Sequence, residues 1–231
     1  MSADSRTTAR LMSALSLDGG NAVEGRQISE SALEFLLPEL VNTVISTTVE
    51  TKRIAARLSL GLDPEEEPQE DTTDDSTRSD STTMASGWTE LPEDSEVLEQ
   101  VYVKLETIGF RVGRRLAERY APVNRRLTDT LDIVKFVCKD MWMVLFNRQV
   151  DNLKTNHRGI YVLQDNKFKW FLRMSSNHGG AAAARRAQPY TWLPCGIIRG
   201  VLDSFGVNAV VSPETLGLPQ CTFQIKVVSN E

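Results

Sequence analysis

The sequence has few of the residues on which enzymes and metalloproteins depend. Its 231 residues contain two histidines and three cysteines. None of them stands in a CxxC, HxH or HExxH spacing, the spacings that make a metal site credible. Phosphate-binding loops of the GxGxxG or GxxxxGK(S/T) type are absent as well, and no aromatic residues are interleaved with basic ones as in nucleic-acid binding. The sequence therefore predicts no catalytic site, metal, cofactor or nucleic-acid partner.

Long apolar runs are also lacking. None approaches the roughly 20 residues that span a bilayer, and the longest candidate is interrupted by Lys135, Lys139 and Asp140. The cysteines are odd in number, lie in apolar contexts and follow no secretory signal. They are Cys138, Cys195 and Cys221. These absences predict a reduced, cytosolic protein whose contact with membranes is peripheral.

The net charge of −5 hides two regions of opposite sign. Residues 62–96 hold 13 acidic side chains and one arginine, a net charge of −12, which leaves +7 for the remainder. That excess of positive charge is compatible with an ordinary solvated surface, and also with an acidic partner or an anionic membrane surface.

Composition divides the chain into a tail, a domain and an insertion. Residues 1–28 are too polar to offset their ordering entropy, which predicts a disordered tail. The acidic, Ser/Thr-rich residues 62–95 predict a disordered insertion, either a solvated spacer or a phosphoacceptor arm, in which Trp88 could dock on the fold or a partner. We expect residues 29–61 and 96–229 to form a single α+β domain.

Apolar spacing predicts three helices in the first part of the domain. The first begins at a Ser29 N-cap and reaches about Leu60, with Pro38 as a kink or break. The second runs from Glu96 to Tyr120, and the third covers residues 127–146. Glycines four residues apart in the second helix predict a seam where another backbone approaches closely; they are Gly109 and Gly113.

The sequence pattern in the second part of the domain predicts a sheet and one more helix. A hairpin is expected with residues 160–163 as one strand, a reversal at Asp165-Asn166, and a second strand through Phe168, Trp170, Leu172 and Met174. A loop over 175–188, a helix over 190–205 and strands over 207–211 and 221–228 follow. Gly196 and Gly200 repeat the four-residue spacing. Together these patterns predict a twisted antiparallel four-stranded sheet packed on one face by about four helices.

One thiol offers an alternative to a purely structural protein. Cys195 is expected near a helix N-terminus, where a thiol can have a depressed pKa and become nucleophilic. A thiol-dependent enzyme or a small-ligand carrier that uses Cys195 and the glycine-lined seam is therefore the competing hypothesis. The apolar neighbours of Cys195 instead favour a role for this thiol in core packing; they are Leu193, Pro194 and Ile197.

Five sequence blocks together resemble one known family. They are TNHRGIYVLQDNKF (155–168), GFRVG with LAERY (109–120), DIVKFVCKD (132–140), CGIIRG (195–200) and PQCTFQ (219–224). Their order and content resemble subunit six of the transport protein particle (TRAPP), in the Bet/Trs family of small TRAPP subunits. The resemblance covers about residues 97–229.

The resemblance implies a non-catalytic assembly subunit of the TRAPP vesicle-tethering complex. Such a subunit pairs through its first two helices with a Bet-type sibling and supports nucleotide exchange on Rab GTPases in ER-to-Golgi and intra-Golgi transport. It implies a cytoplasmic location, peripheral at Golgi membranes through the complex. The Bet-type sibling carries an acyl chain on a cysteine between its second and third helices, but this junction reads VNRR (123–126) here, so no lipid is expected. The residues predicted at the partner interface are Leu33, Leu36, Leu40, Val44, Val101, Leu105 and Ile108.

Overall fold

A computed structural model describes residues 30–61, 91–122, 127–156, 158–172 and 180–228. The chain divides into two units, Met1–Leu33 and Glu34–Glu231. Of the first unit only residues 30–33 are described, as the start of a helix, and every other described residue belongs to the second unit. The predicted tail, the predicted N-cap Ser29, Trp88 and the junction 123–126 lie outside the described residues.

The first two helices are long. Helix α1 spans Glu30–Ser59 and continues through Pro38, so no separate first turn forms. Helix α2 spans Ser95–Tyr120 and begins at Asp94, whose carboxylate accepts a hydrogen bond from the backbone N–H of Glu96 at 2.9 Å. A carboxylate at this position satisfies a donor that the helix leaves free. Asp94 and Ser95, predicted as part of the insertion, therefore belong to the folded unit.

Helix α3 lies where the sequence predicted it but is not uniform. Its segments follow one another without a break: α-helical Thr130–Phe136, π-helical Val137–Met141 and α-helical Trp142–Phe146. Asn147, in the left-handed conformation with φ 55°, ends the helix, as small polar residues often do.

Helix α4 spans Gly180–Ser204 and includes Pro189 and Pro194. It corrects the prediction of a loop over 175–188 followed by a helix from 190, because the run of alanines after Gly180 has high helix propensity. Gly206, with φ 77°, ends it as predicted, and its N–H donates to the carbonyl of Asp203 at 2.9 Å.

Four strands form one antiparallel sheet in the described part of the chain. They are β1 (Asn152–Thr155), β2 (Ile160–Asp165), β3 (Ala209–Glu214) and β4 (Cys221–Val227), in the order β1-β2-β4-β3. Leu163 lies opposite Phe223 and Val211 opposite Ile225, and all four of these side chains are buried. This face of the sheet packs against residues from all four helices, which confirms the predicted α+β class.

The predicted hairpin was wrong in its second strand. Strand β2 pairs with β1, which precedes it, through a turn in which Asn156 Oδ1 accepts hydrogen bonds from the N–H groups of Arg158 and Ile160 at 2.9 and 3.0 Å. After β2 the chain forms a 3₁₀ turn, Lys169–Phe171. A carboxylate oxygen of Asp165 accepts from the Lys167 N–H at 3.0 Å and closes the reversal. Leu172 is exposed, and Met174 lies outside the described residues.

Aromatic rings fill the space between α3 and the sheet. Phe168 lies among Trp142, Phe146, Trp170 and Phe223, with ring centroids 5.2 to 6.5 Å from its own. Edge contacts between rings at these separations are favourable beyond their buried area. The alternating apolar residues that suggested a strand after Asp165 are therefore explained in part by aromatic rings, Phe168 and Trp170, that point into the core.

Candidate partner interface

Helices α2 and α4 touch backbone to backbone. A Cβ placed on Gly109 would overlap the carbonyl oxygen of Leu193, and one on Gly113 would overlap that of Ile197. Because the residue numbers of both helices rise together, the two helices run parallel. The backbone that approaches these two glycines is that of α4.

The glycines of α4 meet α2 in the same way. A Cβ on Gly196 would overlap the carbonyl oxygen of Glu106, and one on Gly200 would overlap that of Phe110. In each case the overlapping atom belongs to the backbone of a helix, which cannot move aside as a flexible side chain could. We call this contact, defined by Gly109, Gly113, Gly196 and Gly200, the glycine seam.

Side chains of α2 and α4 flank the glycine seam. Tyr102 stacks on Trp192 with ring centroids 5.1 Å apart. Arg199 Nε lies 2.9 Å from Glu106 Oε1, and its guanidinium lies 4.7 Å from the Phe110 ring centroid. The seam is therefore occupied by this chain's own residues and is not available to a partner.

Helices α1 and α2 meet through side chains instead. Lys52 Nζ lies 2.6 Å from Asp94 Oδ2 and 2.7 Å from Glu96 Oε2, while Lys104 Nζ donates to Thr48 Oγ1 at 2.9 Å. Since residue numbers fall along α1 as they rise along α2, the helices run antiparallel here. The hydrogen bond to Asp94 raises the pKa of Lys52 and lowers the pKa of Asp94.

The predicted interface residues divide between surface and core. Leu36 is 62% exposed, and Leu40 and Ile108 are half-buried. Three other predicted residues are not at the surface, because their sides of α1 and α2 face the chain's own core; they are Val44, Val101 and Leu105. The side chain of Leu33 lies outside the described residues. The interface itself stays a prediction, now with fewer candidate residues.

Sequence reasoning missed several exposed apolar residues. Ile54 and Leu58 of α1, and Val112 of α2, present apolar surface to solvent. Spacing could have found the first two, since they continue at helical intervals from Leu36. That series has steps of three, four and seven residues, and the seven-residue step passes over the exposed Glu50 and Thr51: Leu36, Leu40, Thr43, Thr47, Ile54 and Leu58. We call it the α1 stripe.

Each thiol of the chain is buried. Cys195 has no exposed surface and lies roughly four turns into α4, so it is not near a helix N-terminus as the sequence suggested. Burial raises the pKa of Cys195 well above its usual value and raises the pKa of Cys138 and Cys221 to about 12. A thiol with a raised pKa stays protonated and is a poor nucleophile near neutral pH. The geometry therefore opposes the hypothesis of a reactive Cys195.

Asp165, which the sequence assigned only to a reversal, also has long-range contacts that were missed. Asp165 is 1% exposed, accepts a hydrogen bond from Trp142 Nε1 at 3.0 Å and lies 3.1 Å from Arg148 Nη1. These two side-chain partners lie far from Asp165 in the sequence, so nothing in local spacing could have identified them. The group links the end of β2 to α3 and serves packing, not chemistry at a surface.

The described ranges contain neither a candidate metal site nor a candidate membrane span. No group of three or more histidine, cysteine, aspartate or glutamate side chains there could hold a metal ion. No helix there is long and apolar enough to cross a membrane.

Comparison with known proteins decides the family. The model for the transport protein particle (TRAPP) component family matches residues 33–228. The chain belongs to this family. Human trafficking protein particle complex subunit 6B is 44% identical over 145 residues, 62% of this chain and 90% of that relative. Bovine subunit 6A is 42% identical over 123 residues, 53% of this chain and 76% of the relative.

A solved structure is similar at lower identity. Trafficking protein particle complex subunit 3 from Naegleria fowleri, covalently bound to palmitic acid, has 14% identity and a TM-score of 0.49 over 60% of this chain and 84% of its own. The family match and the relatives confirm the resemblance to subunit six and its place in vesicle trafficking.

Proposed function

We propose that this TRAPP component is a non-catalytic assembly subunit that pairs with a Bet-type sibling through the outer surfaces of α1 and α2. Within the complex it supports nucleotide exchange on a Rab-type GTPase during ER-to-Golgi and intra-Golgi transport. It acts in the cytoplasm and reaches Golgi membranes only through the complex.

The α1 stripe is the observation that carries this proposal. Helix α1 already buries Leu37, Val41 and Ile45 in its own core, yet a second side of the same helix exposes the leucines of the α1 stripe to solvent. An amphipathic helix that covers only its own core carries charged and polar residues on its outer side. Exposed leucines at 62% and 58% on that outer side therefore favour a partner that covers them.

The size of the α1 stripe supports a contribution from α2 to the proposed interface. From Leu36 to Leu58 the stripe is about 33 Å long, and one helix face about 10 Å wide gives roughly 330 Å². A stable interface buries roughly 800 Å² on each partner. On α2, the half-buried Ile108 and the exposed Val112 supply further apolar surface in the half of that helix that lies toward the start of α1, because the two helices run antiparallel.

The chemistry of the described residues supports a role without catalysis. The three thiols are buried and protonated near neutral pH, and the close approach of α2 and α4 leaves no room for a ligand along the glycine seam. The competing thiol-dependent function would need an accessible nucleophile, and each of the three thiols is buried.

Co-purification of matched variants tests the pairing. Leu36→Asp places a charge in the α1 stripe, and Val210→Asp places one at a side chain of similar exposure, 57%, on β3. We expect Leu36→Asp to reduce capture of a co-expressed Bet-type sibling about tenfold or more, because an unpaired buried charge opposes association. Val210→Asp should pair normally.

Circular dichroism of both variants controls for folding, which exposed positions should leave intact. Normal capture of the sibling by a folded Leu36→Asp protein would refute the pairing through α1.

A further inference from the structure

A cleft of about 330 Å³ lies beside the last turns of α4, next to the sheet. Its apolar lining comes from α2 and from the residues around the start of β3 and the end of β4; they are Phe110, Val207, Ala209 and Val228. Val228 is 48% exposed, so the cleft is open to solvent. Its volume is at the lower end of the range that holds ligands. No residue of α1 lines it, which separates the cleft from the α1 stripe.

The charged side chains that line the cleft are balanced. Arg199 lies against Glu106, with Nε 2.9 Å from Oε1, and Asp203 Oδ2 lies 3.7 Å from Arg114 Nε. Two cations and two carboxylates leave no net charge at this rim. A charged occupant would lose part of its hydration here without a compensating net attraction. The rim therefore opposes an anionic headgroup or a nucleic-acid phosphate and favours a neutral occupant.

Arg199 and Asp203 nevertheless keep unused hydrogen-bonding capacity. The 3.7 Å between Asp203 and Arg114 is too long for a hydrogen bond, so the carboxylate oxygens can still accept. Arg199 faces Glu106 through Nε, and its terminal N–H groups have no hydrogen-bond partner among the described residues. A guanidinium donates and a carboxylate accepts. The two side chains therefore match the C=O and the N–H of a peptide group.

The edge of the sheet adds main-chain groups beside the cleft. Strand β3 is the last strand of the order β1-β2-β4-β3. The N–H of Val228 donates to the carbonyl of Asn208 at 2.8 Å, so the main-chain groups of Asn208 face β4. Main-chain directions alternate along an antiparallel strand, and the N–H and C=O of Ala209 therefore face the outer edge. An extended segment that enters the cleft can pair with them.

The same edge does not suit a long partner strand. Val211, the next residue whose main chain faces outward, is only 3% exposed. Pro213, the one after it, has no N–H to donate. Edge-to-edge pairing of two copies needs a ladder of several residues, which this edge does not offer. The geometry therefore fits a short segment that is held mainly by the cleft, and not β3 of a second copy.

We propose that this cleft binds a short, uncharged segment of another TRAPP component. One bulky apolar side chain of the segment lies against Phe110 and Val207, and its peptide groups hydrogen-bond to Arg199, Asp203 and the main chain of Ala209. The proposal rests on the chain's membership of the TRAPP component family. It does not rest on pairing through α1 and α2, so either proposal can fail without the other.

Small probes of the segment's chemistry test the cleft in the full chain. N-acetyl-phenylalanine amide is neutral, and we expect it to bind in roughly the millimolar range and to shift the methyl NMR signals of Val207, Ala209 and Val228. N-acetyl-glycine amide should bind about tenfold more weakly or less, because it has no apolar side chain to bury. N-acetyl-phenylalanine, which carries a carboxylate, should also bind more weakly than its amide. Equal binding of the three probes would overturn the proposal.

Two variants and a matched control make the test specific. Ala209→Leu fills the cleft and should abolish the shifts, whereas Val210→Leu, at the neighbouring residue that is 57% exposed, should bind as wild type does. Asp203→Asn leaves one cation unbalanced and should move the preference toward N-acetyl-phenylalanine. Equal chemical-shift dispersion controls for folding. Undiminished binding by a folded Ala209→Leu protein, or an unchanged preference in Asp203→Asn, would overturn the proposal.

A photo-crosslinker in the reconstituted complex identifies the occupant. p-Benzoylphenylalanine at Val228 should join an uncharged segment of another component, and the same group at Val210 should not. A product with a second copy of this chain, for example through its 83% exposed Leu216, would overturn the proposal, as would the absence of any product. Removal of residues 229–231, which lie outside the described ranges, should leave probe binding unchanged. A gain in affinity would assign the cleft to the chain's own end and overturn the proposal as well.

Discussion

The two neighbours of α2 are held in different ways. Against α4, four glycines bring the helix backbones together, and the would-be Cβ atoms overlap carbonyl oxygens such as those of Leu193 and Phe110. Against α1, polar contacts run through long side chains: Lys52 to Asp94 and Lys104 to Thr48. One contact is fixed by touching backbones, whereas the other is made by side chains: apolar ones in the shared core and flexible, partly solvated ones at its edge.

This difference has a functional meaning for a subunit that assembles. Closely packed backbones define one geometry, because small displacements create overlap. Contacts between side chains tolerate larger shifts than touching backbones do, and it is by side chains that α1, the helix whose outer stripe we propose for the partner, is held. The α2–α4 contact would then hold the scaffold while α1 adjusts to its sibling.

The largest effect is expected at the glycine seam. Gly200→Leu would place a branched side chain against the carbonyl of Phe110, and the backbone of α2 would have to move. We expect a loss of about 3 kcal/mol or more in the free energy of unfolding, at or above the upper end of ordinary overpacking. Urea unfolding measures it, and poor solubility with loss of assembly should accompany it.

Gly180→Ala is the matched control, since nothing lies within 4 Å of a Cβ at that position. It should leave stability unchanged or raise it by up to about 1 kcal/mol. A similar stability for Gly200→Leu and Gly180→Ala would show that the glycine seam does not need its glycines.

A smaller effect on stability is expected at Cys195, the buried thiol of α4. Cys195→Ala removes one buried sulfur, at a cost of about 1 kcal/mol in the free energy of unfolding. The variant should assemble normally and support Rab nucleotide exchange by the reconstituted complex. A protein that folds and assembles but is inactive in that exchange would restore the thiol hypothesis.

Much of the helical architecture could be predicted from spacing alone. In α2 the buried residues recur every four positions from Val97 to Ala117, which is a strong helical signal. The start of α4 could not be predicted, because its first residues are glycine, alanine and arginine and have no apolar periodicity. Strand β1 was missed for a related reason: Asn-Leu-Lys-Thr is short and mostly polar.

The predicted interface shows a second limit of sequence reasoning. Spacing identifies an apolar side of a helix but does not say whether the chain itself or a partner covers it. Val101 and Leu105 have the same pattern as any interface residue, yet they are buried inside the chain. Leu36 differs from them only because no element of the described fold covers it. Tertiary packing decides this, and the sequence of a single chain does not encode the choice locally.

The smallest effect concerns the charges between α1 and α2. Asp94→Asn keeps the helix cap, because asparagine caps as well as aspartate, but it removes one charge facing Lys52. The hydrogen bond to Lys52 lowers the pKa of Asp94 below 3.8, so its stabilising effect is present above pH 3.8 and is lost as pH falls through the lowered pKa.

Lys52 sets the upper pH limit of its contact with Asp94. Its pKa is raised above 10.5, so the same contact is complete below pH 10.5 and is lost as pH rises through the raised pKa. Thermal melting of wild type and Asp94→Asn should therefore differ slightly between these limits at low salt, and the difference should vanish at lower pH and in concentrated NaCl. A difference that persists at every pH would mean that Asp94 acts through the cap geometry, and that the attachment of α1 is less electrostatic than the contrast with α4 implies.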